Sequence, residues 1–182
     1  MRAECKSGRI EWERRLLLER FPEHVHSIRT RRITDNYIDG TSFRLRQQSD
    51  DGGETVFKLT QKLPTPAHGA QQGFTTTIYL SKSEFSLLAL LPAKVLRKTR
   101  CSVLPFGIDV FEGTLKGLVL AEAEFNSAAD ADALTLPPFL LHEVTVDQRF
   151  TGGCLVRAEP LDLKSWRLEY GITLERSDLE RA

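Results

Sequence analysis

Cysteine is scarce in this chain of 182 residues, and its three copies, Cys5, Cys101 and Cys154, lie far apart. An odd number without metal-type spacing excludes a disulfide framework and a zinc cage. Free thiols suit a reducing compartment, so the expected location is the cytoplasm. The opening residues lack the pattern of a cleaved secretory leader, which points the same way. No apolar run approaches the roughly 20 residues of a membrane-spanning helix. Neither sign of charge is in excess, with 25 Lys+Arg against 25 Asp+Glu. Without a global basic field, neither nucleic acid nor a membrane is an expected partner. Any anion site must arise from local sorting of charge. Repeats, low-complexity blocks, a phosphate-binding P-loop and an HExxH helix are all missing. His24, His26, His68 and His142 are scattered and read as ordinary surface residues.

What is present is a series of short segments alternating apolar and polar residues with period two, the mark of half-buried strands. They cover residues 10–18, 30–38, 42–48, 55–63, 75–80, 95–103, 106–112 and 117–125. Asp51-Gly52-Gly53 reads as a hairpin tip. Residues 64–72, rich in Pro, Gly, Ala and Gln, read as a flexible loop. Phe85, Leu87, Leu88 and Leu91 stand at helical spacing, so 81–91 is expected to be a helix capped by Ser81 or Ser83 and ended by Pro92. A short helix is expected over 128–134, brief β pieces over 142–146 and 155–157, and a last helix over 162–168. Many closely spaced strands with few helices predict a mainly β fold, closed into a barrel that leaves no sheet edge exposed.

Within the strands the charges fall on one parity. Residues two apart share a face, so Glu11, Glu13 and Arg15 point together, as do Arg44 with Arg46, Lys58 with Thr60 and Lys62, Lys98 with Arg100, and Glu122 with Glu124. The last pair stands opposite Val119, Ala121, Ala123 and Phe125, an apolar set that asks for a covering layer. One such charged pair is ordinarily a solvated strand face. Acidic and basic clusters sorted onto separate strands fit an ion-filled tunnel as well. Carboxylates are hard ligands for Mg²⁺ or Mn²⁺, and Arg and Lys neutralise phosphate oxygens. Together they suit hydrolysis of a phosphoanhydride, which needs positioning and charge stabilisation but no covalent nucleophile.

These stretches resemble a family. Ile10-Glu11-Trp12-Glu13-Arg14-Arg15 is similar to the Glu-x-Glu-x-Lys signature of CYTH domains, the triphosphate tunnel metalloenzymes. Phe43-Arg44-Leu45-Arg46, Lys98-Thr99-Arg100, Ile108-Asp109-Val110-Phe111, Ala121-Glu122-Ala123-Glu124-Phe125 and Glu143-Val144-Thr145 follow in the family's order. The resemblance implies an eight-stranded antiparallel barrel with a central tunnel over residues 1–158, followed by a helical tail over 159–182. It implies metal-side carboxylates at Glu11, Glu13, Glu122, Glu124 and Glu143. It also implies substrate contacts at Arg44, Arg46, Lys62, Lys98, Arg100 and Arg149, and catalytic roles for Arg15, Glu122 and Glu124. The activity implied is hydrolysis of inorganic triphosphate or another triphosphate with Mg²⁺ or Mn²⁺. Two departures stand out: the signature Lys is Arg15, and Thr75 and Thr77 occupy positions where many relatives carry a further acidic pair. The second departure supports an alternative, a polyphosphate- or nucleotide-binding protein without turnover. An adenylate cyclase is a third reading, for which the sequence specifies no base pocket. In the tail, Leu161, Trp166, Leu168, Tyr170, Ile172 and Leu174 offer apolar surface for packing on the barrel, for plugging a tunnel end or for a homodimer contact.

Overall fold

The computed structural model describes residues 8–65, 67–137 and 142–172. Its elements in chain order are β1 (Arg9–Leu18), β2 (Arg29–Ile38), β3 (Phe43–Asp50), β4 (Thr55–Thr65), β5 (Gly69–Leu80), α1 (Lys82–Leu88), β6 (Ala93–Val103), β7 (Phe106–Phe111), β8 (Val119–Phe125), α2 (Ala128–Asp132), β9 (His142–Glu143), α3 (Gly152–Leu155) and α4 (Pro160–Glu169). The strands pair antiparallel in the order β5-β4-β3-β2-β6-β7-β8-β1, and β1 returns to β5 to close an eight-stranded barrel. Closure is short, running only from Arg9 to Trp12 of β1. Further along the same edge, Leu16 and Leu17 pair with the two residues of β9. Among the described residues no helix is long and apolar enough to cross a membrane.

Three local expectations change. Residues 64–72 are mostly strand: β4 runs to Thr65 and β5 starts at Gly69, with the register slipping between Pro64 and Thr65. A slipped register is how a strand accommodates a proline, which has no N–H for the ladder. Residues 155–157 are not β. The Val156 and Arg157 amides bond back to the carbonyls of Gly152 and Cys154, completing the α3 turn. Three residues are too few for periodicity to separate strand from helix. The β piece expected over 142–146 shrinks to β9, because the Asp147 amide turns back to the Val144 carbonyl.

The barrel wall carries two apolar cores. Outside, Leu16, Leu18, Ile108, Val119, Ala121 and Ala123 form one layer, covered by Phe21, Leu134 and Leu136. This is the cover that the apolar parity of β8 required. Inside, one end of the barrel is filled. Leu17, Leu96, Phe111 and Leu120 meet Phe150, Leu155, Leu163 and Ile172, so the chain after β9 folds back into that end. Trp166 and Tyr170 set their rings 6.0 and 5.8 Å from Phe150. The part of the tail over 160–172 therefore packs on the barrel's own core, while Leu161 and Leu168 face solvent. Leu174 lies outside the described residues.

The inward rows then change character along each strand: Leu17 gives way to Arg15 and Glu13, Leu96 to Lys98 and Arg100, Leu120 to Glu122 and Glu124. At the junction Gly152 rests on Tyr37, where a Cβ would stand 1.9 Å from the phenol oxygen. Gly152→Ala is expected to destabilise the protein by about 1–3 kcal/mol through overpacking. Adding Tyr37→Phe should recover part of the loss. A wild-type melting temperature for Gly152→Ala would refute this contact as a constraint.

Candidate functional site

Past the apolar plug the barrel encloses a cavity of about 330 Å³. Its wall is drawn from the inward parities: Glu11, Glu13 and Arg15 from β1, Arg44 and Arg46 from β3, Thr60 and Lys62 from β4, Thr75 from β5, Lys98 and Arg100 from β6, and Glu122 and Glu124 from β8. Antiparallel pairing with a period of two is what turns these distant pairs onto one lumen.

The basic wall is built twice by the same device. Asp35 on β2, 1% exposed, accepts from Arg46 Nε at 2.6 Å and Nη2 at 2.8 Å, and Arg44 Nε stands 3.8 Å away. Asp109 on β7, 0% exposed, accepts from Lys98 Nζ at 2.5 Å and from Arg100 Nε and Nη2 at 2.6 Å each. Each aspartate thus holds two cations two residues apart on its neighbouring strand. With Nε and Nη2 committed in both arginines, Nη1 is the edge left for a ligand. Burial alone would raise the Asp35 carboxyl, but Arg46 and Arg44 hold it well below the usual carboxylate range. Burial lowers the Lys98 ammonium below its ordinary value, and Asp109 opposes that shift. Neither aspartate is marked as a site residue by the sequence, although each lies on an inward row, Asp35 with Tyr37 and Asp109 with Phe111.

The acidic wall divides in two. Glu13 accepts from Arg15 at 2.6 Å and Lys62 at 2.5 Å. Glu122 accepts from Arg15 Nε at 3.2 Å and from Arg100 Nη2, and against the effect of burial Lys98, Arg100 and Arg15 hold its carboxyl well below the ordinary range. These two glutamates are knitted into the basic wall. Glu11 instead accepts from Arg9 at 2.6 Å and Thr75 at 2.8 Å. Among the described residues Glu124 has one ion pair, with Arg9 at 3.7 Å, and burial with neighbouring Glu11 and Glu13 pushes its carboxyl up. Thr77, the other threonine of that strand, pairs its hydroxyl with Thr60 at 3.1 Å. Arg15 is 3% exposed, and its Nη1 has no hydrogen-bond partner among the described residues, leaving a dry donor beside the cavity.

Among the described residues no three acidic, His or Cys groups converge as a metal cage. Mg²⁺ rarely uses such a cage; it binds through one or two carboxylates and completes its shell with water and phosphate oxygens. The crowding of Glu124 by like charges is what a divalent cation relieves. The donor set therefore fits a cation that arrives with an anionic ligand.

Two residues assigned to the site stand elsewhere. Glu143 accepts from Arg14 at 2.9 and 2.6 Å. Arg14 points away from Glu13 and Arg15, so this pair lies on the outer face of the wall. Arg149 bonds Asp147 at 2.8 Å and Glu169 at 2.7 Å, beside Trp166. Arg157, which lines the cavity, was not anticipated, because the plug that carries it reads as β in the sequence. Tyr37 also lines the cavity, its phenol pushed up to about 12 chiefly by burial.

Asp35→Asn leaves buried cations without their counter-charge, at an expected cost of about 3–5 kcal/mol. The folded carboxyl titrates below its unfolded value. Its contribution is therefore complete above the ordinary aspartate range near pH 4 and fades as pH falls through and below it. Urea melts between about pH 5 and pH 2 should show the wild type losing stability more steeply than Asp35→Asn. Equal slopes would overturn the assignment.

No family model matches the chain. An inorganic triphosphatase from Nitrosomonas europaea is 32% identical over 158 residues, spanning 82% of this chain and 99% of that protein. A crystal structure of an inorganic triphosphatase superposes with a TM-score of 0.53 at 27% identity, covering 82% of this chain and 96% of that one. A second crystal structure of that protein gives 0.53 at 28% identity, covering 82% and 99%. With the relative matched along nearly its whole length, the chain belongs to the CYTH, or triphosphate tunnel metalloenzyme, family.

Proposed function

We propose that this protein hydrolyses inorganic triphosphate, or a compound carrying a triphosphate, with Mg²⁺ or Mn²⁺ bound alongside the substrate. One observation carries the reading: two aspartate-anchored basic pairs face a glutamate wall across a cavity of about 330 Å³. The relative that matches over 158 residues is an inorganic triphosphatase, which supports it.

In this reading Arg44, Arg46, Lys98 and Arg100 align and neutralise the phosphoryl oxygens, with Lys62 beside them. Arg15 donates its Nη1 to an oxygen as charge develops. Its guanidinium is raised above its ordinary value, with Glu13 and Glu122 outweighing burial, so it stays charged and acts as a donor, never as a base. Tyr37, kept protonated, is a further donor at the cavity's edge. Glu11 and Glu124 would hold the cation, which when bound supplies charge neutralisation at the phosphoryl oxygens. Phosphoryl transfer to water then rests on positioning and electrostatics, without a covalent nucleophile.

A second reading, binding without turnover, draws on the commitment of Glu13 and Glu122 to cations and of the Thr75 hydroxyl to Glu11. Phosphate release from inorganic triphosphate, measured with Mg²⁺ and Mn²⁺ separately, decides between them. Arg44 has the looser hold on Asp35, so Arg44→Ala should fold and yet lose about a hundredfold or more in kcat/KM. A triphosphate-dependent rise in melting temperature without phosphate release from any triphosphate would favour the binder and reject the hydrolase.

A further inference from the structure

The positive lining does not stop where the cavity does. Lys58 on β4 is the register partner of Arg46, and Arg31 on β2 is the register partner of Arg100. Both share the inward parity of their strands, Lys58 with Thr60 and Lys62, Arg31 with Asp35 and Tyr37. Each stands beside a cation of the cavity wall, on the side toward the end of the barrel that holds the β3–β4 turn. The apolar plug fills part of the other end. Tyr79, on the inward parity of β5, is 70% exposed, so the Lys58 end is open to solvent.

Lys58 packs on an aromatic ring instead of pairing with a carboxylate. Its Nζ stands 5.2 Å from the centre of the Tyr79 ring and has no carboxylate within ion-pair distance among the described residues. Burial and then Arg46 and Arg31 lower its ammonium. Arg31 donates to Ser102 at 2.6 Å and keeps Asp50 at 4.0 Å, and its buried Nε has no hydrogen bond among the described residues. Elsewhere in the lumen Arg46, Lys62, Lys98 and Arg100 each have a carboxylate partner at hydrogen-bond distance. Among the described residues Lys58 has no ion pair and Arg31 has only the long contact to Asp50, so two crowded cations with weak counter-charge favour an anion beside them.

We infer that Lys58 and Arg31 make a further phosphoryl subsite, which takes the fourth phosphate of a linear polyphosphate whose first three fill the cavity. This rests on the triphosphate reading of the cavity, and the same chemistry would accept free inorganic phosphate. Calorimetric titrations of triphosphate, of tetraphosphate, and of inorganic phosphate into triphosphate-loaded protein separate the cases, with hydrolysis blocked by chelator. A charge-assisted contact predicts about a tenfold preference for tetraphosphate over triphosphate. Lys58→Met should remove most of that preference, Arg31→Gln should reduce it, and Lys58→Arg should restore it. Saturable binding of inorganic phosphate to the loaded protein, lost in Lys58→Met, supports the subsite with a free anion as occupant. Equal affinities for the two chains without phosphate binding, or a preference that survives both Lys58→Met and Arg31→Gln, overturns the subsite. Failure of triphosphate itself to bind, both in chelator and with Mg²⁺ restored, overturns the reading of the cavity instead.

Discussion

Cations gathered on the inner wall of a barrel repel one another, and their partial burial weakens the screening that water would give them. The Asp35 and Asp109 ion pairs resolve that conflict, and the rest of the lumen depends on them. Each carboxylate is buried on an inward row and takes a bidentate grip on one arginine while also countering a second cation. Such pairs add little net stability over an apolar core, because desolvation of both ions offsets their attraction. What they fix is direction. An arginine held by Nε and Nη2 has few rotamers left, and its remaining edge is aimed before any ligand arrives. Donors fixed in this way need no reorganisation when they meet a negative charge.

The barrel gives these pairs their spacing. Asp35 and Asp109 sit on strands adjacent to the cations they hold, so each device is a two-strand unit set by register. Closure through only a few residues of β1 and β5 brings the glutamates of β1 and β8 round to face the basic strands. The inner rows also divide the interior lengthwise. Apolar residues pack around Phe150 and Leu155 at one end, so the same barrel has a hydrophobic core and a charged lumen end to end. Tyr37 and Gly152 mark the seam between them.

The acidic wall is less uniform than its pattern of paired glutamates implies. Glu13 and Glu122 balance Arg15, Lys62 and Arg100, whereas Glu11 is held by Arg9 and Thr75 and Glu124 stands 3.7 Å from Arg9. Arg15 binds both knitted glutamates through one planar group, which a lysine's single ammonium does less well. Thr75 donates to Glu11 instead of adding another carboxylate.

The strand sequence was legible because a period of two survives in every wall strand, and the parity of the charges followed from the same period. Paired residues such as Arg44 with Arg46 and Glu122 with Glu124 were readable as one face because their strands are regular. Asp35 and Asp109 were not, since a single carboxylate on a strand does not say which neighbour it will hold; only register decides that. Glu143 and Arg149 belong to short segments with weak periodicity, and tertiary contacts with Arg14, Asp147 and Glu169 place them outside the lumen. The helical plug over 151–157 was likewise invisible, because its form depends on the barrel end it fills. What the sequence determined by itself is a closed β wall with sorted charge, through local periodicity. What only the tertiary structure decided is which charges neutralise one another and which remain for a ligand, because that depends on pairing across strands far apart in the chain.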